Sequence, residues 1–145
     1  MKIAMVYERN NLFYIRASSQ TIAGVWIDDG DCHVISIDSD FEEIGKYVRF
    51  ALNNSNSNIP HPLDWKAINA PLLKAAKVKS WITFGKTAKC IIVILEKDIK
   101  ICPTKNYSYL NQGFIEFESS TIFVPVDIGN IELGKNIKKA WLSCE

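Results

Sequence analysis

The chain has 145 residues, 48% of them hydrophobic and 23% charged, and a formal net charge of +1. That length suits a single domain, residues 1–145, around one core. The balanced charge excludes a whole-molecule field drawing the protein to nucleic acid or an anionic membrane, so partner preference must come from local patches.

The first apolar stretch, IAMVY, is interrupted at Glu8 and Arg9 before it reaches the length of a signal-peptide core or a membrane span, which predicts a cytoplasmic protein. The N-terminal third reads as strands: KIAMVYE, then LFYIRAS after the turn-prone Asn10 and Asn11, then AGVWID and CHVISID. The run Asp28, Asp29, Gly30, Asp31 between the last two reads as a hairpin turn. A helix near residues 40–53 follows. Asp38, Ser39 or Asp40 can cap it, Glu42 and Glu43 favour its dipole, and Phe41, Ile44, Val48, Ala51 and Leu52 share one face.

The polar run NNSNSN and then PHP end that helix. A second helical region, residues 64–77, is expected to break or restart at Pro71. SWITFGK, CIIVILEKD and IKICPT read as strands, with Lys97 and Asp98 turning between the latter two. GFIEFES and STIFVPVD add two more, the first alternating Phe114, Glu116 and Glu118 against Ile115 and Phe117. Residues 131–143 return to helical spacing. The fold class is therefore α+β: a mostly antiparallel sheet with two or three packed helices.

EIGKYVRFAL (43–52) and ELGKNIKKAWL (132–142) share a pattern, and each carries a glycine where alanine would be better by about 1 kcal/mol. The strands before them do not match beyond hydrophobicity, so the two read as independent amphipathic helices. Their glycines predict a close approach of helix backbone to the sheet.

Chemistry-bearing residues form no catalytic pattern. Cys90, with Lys86 and Lys89 just before it, is a nucleophile candidate, but alternation places it with Ile92 and Ile94, where a cysteine is a small core residue. Cys32 and His33 could begin a metal site, yet no second ligand cluster accompanies them or His61. No GxSxG, HExxH, Walker or GxGxxG pattern occurs. No enzyme, metal or cofactor is expected.

Charge is distributed unevenly. Residues 21–43 hold seven acids (Asp28, Asp29, Asp31, Asp38, Asp40, Glu42, Glu43) and no lysine or arginine. Residues 64–106 hold nine lysines and no arginine. The acids are either a docking surface for a basic partner or the ordinary preference of turns and helix starts. The lysines are either a phosphate-binding surface, with Trp65, Trp81 and Tyr107 as stacking platforms, or solvated strand and helix faces. The second reading is favoured, because arginine is the better phosphate reader.

Residues 71–105, PLLKAAKVKSWITFGKTAKCIIVILEKDIKICPTK, together with ELGKNIKKAW and GKYVRFALNNS followed by PHP, resemble the immunity proteins of contact-dependent growth inhibition, the CdiI family. The resemblance spans about residues 40–142, and the N-terminal strands carry none of it. Lys77 departs from a commoner glycine and Lys105 from a commoner arginine. The resemblance implies a cytoplasmic antidote that binds the C-terminal toxin domain of a large exported adhesin and performs no catalysis. It further implies that the toxin is often a nuclease, frequently one acting on tRNA, whose active-site cleft is blocked. A nuclease cleft is basic, so carboxylates suit the inhibitor. Asp28, Asp29, Asp31, Asp38, Asp40, Glu42 and Glu43 are the first candidates for toxin contact, and Glu116 and Glu118 the second, with Tyr107 and Tyr109 as aromatic anchors. The alternative is a nucleic-acid-binding module built on residues 66–105.

Overall fold

In the computed structural model, which describes residues 1–145, Asn10 and Asn11 both take positive φ, 53° and 63°. This is the geometry of a two-residue hairpin whose twist matches its strands, here β1 (Lys2–Arg9) and β2 (Leu12–Gln20). β3 (Trp26–Ser36) pairs along β2 as one long edge strand. The expected hairpin at Asp28–Asp31 is therefore absent. Gly30, at φ 73°, instead opens a bulge in which Gly30, Asp31 and Cys32 all stand opposite Arg16. Glycine's tolerance of positive φ produced a turn signal that the chain uses to bend a strand.

α1 (Phe41–Asn54) starts at Asp40, whose carboxylate accepts from the Glu43 amide at 2.8 Å. α2 (Trp65–Ala76) starts at Asp64 and continues unbroken through Pro71, contrary to the expected restart. The proline's missing N–H leaves the Ala67 carbonyl unpaired on an exposed residue, where water can reach it. Trp81–Gly85 is not a strand but a short helix, α3, capped by Ser80, which accepts from the Thr83 amide.

β4 (Lys89–Leu95) and β5 (Asp98–Asn106) form the next hairpin. The outer edge of β5 is shared by β6 (Phe114–Glu116) and β7 (Ile122–Pro125), and α4 (Asn130–Ser143) follows. The seven strands are antiparallel, in the order β3-β2-β1-β4-β5 and then β6 and β7, with β1 and β4 central. β6 ends at Glu116, and Glu118 opens a turn of 3₁₀ helix, so the two glutamates do not share a strand face as expected.

Each face of the sheet is covered. On one face Val6, Phe13, Ile15, Ile91, Val93 and Ile101 pack against Ile44, Val48 and Leu52 of α1 and Leu133 and Ile137 of α4. On the other, Tyr7, Tyr14 and Cys90 pack against Leu72 of α2 and Phe84 of α3. The helix glycines approach each other's helix rather than the sheet. A Cβ on Gly45 would overlap the Asn130 carbonyl, and one on Gly134 would overlap the Phe41 carbonyl.

Two substitutions test these backbone assignments. Gly134→Ala forces α1 and α4 apart and is expected to lower stability by about 2–3 kcal/mol in chemical denaturation, as overpacking does. Lys77 closes α2 in the left-handed region at φ 57°, its amide bonding to Leu73 and Lys74 carbonyls. Lys77→Gly is expected to raise stability by roughly 1 kcal/mol by removing that strain, read as a higher denaturation midpoint.

Candidate functional site

The bulge in β3 is built around a buried cation. Arg16 projects from β2 and is 2% exposed. Its guanidinium donates to the Gly30 carbonyl at 2.9 Å and the Ile68 carbonyl of α2 at 2.8 Å, so it ties the bulge to the helix. Beside it the Tyr7 hydroxyl donates to the Asp28 carboxylate at 2.6 Å. Burial pushes the Asp28 carboxyl above the usual carboxylate range, while the Tyr7 bond and the Arg16 charge pull against that shift. Burial likewise raises the Tyr7 phenol well above its ordinary value, and Asp28 adds to the effect. Asp28 thus serves the interior: it offsets Arg16 and satisfies a buried phenol.

Asp31 is exposed on the same bulge, and Asp29, half-buried, stands at its edge opposite Ala17. With Asp64 at the start of α2 they line a groove of about 520 Å³ whose floor includes Arg16 and whose rim carries the fully exposed Leu63. None of these three carboxylates is in a salt bridge. Asp64 and Leu63 were not among the sequence candidates. Asp64 was legible only as the start of a helical region, and its place beside Asp31 depends on how α2 packs on β3. Trp65, next in sequence, is 52% exposed and lies against His61.

The other acidic candidates lie elsewhere. Asp38, Asp40 and Glu42 are exposed and Glu43 half-buried around the start of α1. This is the far end of β3, since the five steps from Asp31 to Ser36 span roughly 17 Å. Asp40 spends an oxygen on its cap. Glu116 pairs with Lys100 at 3.6 Å on the opposite edge of the sheet, and Glu118 is exposed beyond it. The nine candidates therefore form three groups, with Asp28 turned inward.

Cys90 is fully buried, and burial pushes its thiol well above the ordinary value. The Cys32 and Cys102 thiols are pushed up to about 11 by burial, and Cys144 is raised for the same reason. A nucleophile needs the thiolate, which these surroundings disfavour. Cys32 and His33 sit on opposite faces of the sheet, the thiol toward the Tyr14 cluster and the ring against Tyr47 and Phe50. No three His, Cys, Asp or Glu side chains converge as metal ligands.

The lysines of residues 64–106 form no single patch. Lys100 pairs with Glu116 and Lys105 with Glu145, Lys89 lies over the Trp141 ring, and Lys97 is in the β4–β5 turn. Trp81 is half-buried against the second core, with one ring face stacked on Phe84. Tyr109 is exposed, while Tyr107 lies half-buried beneath Lys105.

Comparison with known proteins settles the family. The family model described as CDI immunity protein matches residues 2–144, which takes in the N-terminal strands as well. The chain belongs to the CDI immunity protein family. Among solved structures, a protein of unknown function from Neisseria meningitidis matches with a TM-score of 0.81 and 19% identity, over 99% of this chain and 95% of its own. A CdiA-CT/CdiI toxin and immunity complex from Yersinia pseudotuberculosis matches with a TM-score of 0.80 and 17% identity, over 99% and 97%. Both share this fold. No curated protein matches the chain. The protein is accordingly an immunity protein of contact-dependent growth inhibition, and no helix in it is long and apolar enough to cross a membrane.

The raised Asp28 carboxyl sets a sign for stability against pH. An acid whose folded value exceeds its unfolded one binds more protons when folded, so its contribution is full below the unfolded value and is lost as pH rises through the folded one. Asp28→Asn keeps an acceptor for Tyr7 and removes the titration. The variant's unfolding midpoint is expected to lose the downward slope that Asp28 contributes from about pH 4 upward, measured by denaturant titration across that range.

Proposed function

We propose that this protein neutralises the C-terminal toxin domain of a CdiA-type adhesin by binding it in the cytoplasm and covering its active-site cleft, with no chemistry of its own. The toxin is a nuclease, and an RNase acting on tRNA is the favoured type. Asp29 and Asp31 on the bulge, joined by Asp64, which also spends one oxygen capping α2, present carboxylates free of salt bridges along one groove beside the exposed Leu63, and this observation carries the reading. A basic cleft made for a polyanion gains from carboxylates placed where phosphates would lie, and the field they create speeds encounter. Leu63 supplies apolar contact at the rim, the usual companion of charge at a tight interface. Asp38, Asp40, Glu42 and Glu43, at the far end of β3, extend the acidic surface. Glu116 and Glu118 on the opposite edge are the secondary site, with Tyr109 as an aromatic anchor.

The test is a titration of the chain against the toxin domain encoded beside it, at two salt concentrations, with the toxin's nuclease activity followed in parallel. The double variant Asp29→Lys, Asp31→Lys leaves the internal Asp28 and Arg16 in place. It is expected to weaken binding roughly tenfold or more and to flatten the salt dependence of the association rate. Unchanged affinity would remove the bulge from the interface, and binding that leaves nuclease activity intact would overturn blockade of the cleft.

A further inference from the structure

The two halves of this fold are related by an approximate two-fold axis. β1, β2, β3 and α1 recur, in the same order and on the same face of the sheet, as β4, β5, the pair β6 and β7, and α4. The axis passes between Met5 and Ile92, which are paired in the central strands. About it Phe13 and Ile15 of β2 correspond to Ile99 and Ile101 of β5, and Ile35 of β3 to Val124 of β7, every one of them in the same core. α1 and α4 coincide end to end under a shift of 89 positions, from Gly45 to Gly134.

The contacts between the halves are reciprocal, as in a two-fold dimer. Gly45 meets the first residue of α4, and Gly134 meets the first residue of α1. Arg49 donates to the Val126 carbonyl at 3.1 Å, and Lys138, its counterpart, donates to the Ile37 carbonyl at 2.6 Å. Both acceptors are the residue four positions before the helix of the other half. Each half also closes on itself in the same way. The Gln20 amide donates to the Asn56 carbonyl at 2.9 Å, and the Asn106 amide to the Glu145 carbonyl at 2.9 Å. At the end of α1 the buried Ser55 hydroxyl accepts from the Ile3 amide, and at the end of α4 the buried Cys144 thiol donates to the Cys90 carbonyl.

We infer that the chain is two copies of one βββα unit fused as a two-fold pair, with residues 57–88 inserted between them. Chance convergence of two amphipathic helices accounts for apolar faces and helix caps. It does not account for paired glycines, paired basic side chains and paired terminal hydrogen bonds that all obey one operation. The insertion carries α2 and α3, which cover the second face unequally: α2 packs beside β3 of the first half and has no counterpart beside the second, while α3 reaches both halves through Tyr7 and Phe114.

The equivalence is tested by grafting. In one chain residues 130–143 carry the sequence of residues 41–54, placed so that Gly45 falls at position 134; in a second the same sequence is slipped by one residue. The aligned graft puts apolar residues of similar or smaller size at each core position and returns a basic residue to position 138. It is expected to retain near-ultraviolet circular dichroism and a single cooperative thermal transition, which the slipped graft loses. A second chain-wide check exchanges the two cross-half cations, Arg49→Lys with Lys138→Arg, and is expected to leave the unfolding midpoint within a few degrees of the parent. An unfolded aligned graft, two grafts that behave alike, or an exchange variant that fails to fold would each overturn the duplication.

Discussion

The close backbone approach where α1 and α4 cross through Gly45 and Gly134 fixes the rest of the architecture. Helix axes ordinarily pack 8–10 Å apart, and only a residue without a Cβ lets one helix sit on the other's backbone. Here each glycine receives the other helix's first turn. The two helices therefore span the sheet as a single plate, and the side chains beneath them, from Ile44 to Ile137, reach both central strands. Arg49 and Lys138 then pin the loops that enter the helices by bonding to carbonyls across the crossing. The helix layer, its entry loops and the sheet beneath it thus share one geometry, and the edge strands inherit their positions from it.

The second face is built on different terms. Its apolar cluster is smaller, and it meets a polar group of Arg16, Tyr7 and Asp28 near the edge of the sheet. Burying a guanidinium is unfavourable unless its charge is offset and its donors are used. Two backbone carbonyls and a nearby carboxylate meet most of that demand, leaving the Nε without a partner, and one of the carbonyls lies in the bulge of β3 at Gly30. The same bulge places Asp29 and Asp31 on the groove beside Asp64. The acidic groove is thus a product of how a buried cation is solvated. A surface suited to a basic partner and an interior constraint are two sides of the same bulge.

Much of this was legible in the sequence where local chemistry decides the outcome. The Asn10–Asn11 hairpin, the Asp40 cap, a helix start near Asp64, the apolar faces of the two long helices and the buried setting of Cys90 follow from residue type and spacing. Lys77 was marked by its departure from a commoner glycine, and its left-handed backbone supplies the reason. What was misread depended on partners distant in the chain. Asp28–Asp31 has the composition of a turn, yet pairing with β2 and the pull of Arg16 keep it in a strand. Trp81–Gly85 has strand propensity, but Ser80 caps it and the Tyr7 cluster accepts its rings as a helix. The repeated helix pattern was visible, while the reciprocity that gives it meaning needs both helices in place. Of the acidic candidates, Asp28 could not be separated from Asp29 by sequence, because alternation along an irregular strand does not say which side faces inward.

The four thiols bear on how durable such a protein is. At a value of about 11, the fraction of Cys32 or Cys102 present as thiolate at neutral pH is roughly one in ten thousand. Peroxide and disulfide exchange act on the thiolate, so burial slows the first step of the oxidation ladder at these sites as well as at Cys90 and Cys144. An antidote has to remain competent for as long as neighbours can deliver toxin, including when the cell is under oxidative attack. Keeping most of its sulfur in the interior makes that readiness less dependent on the redox state of its surroundings.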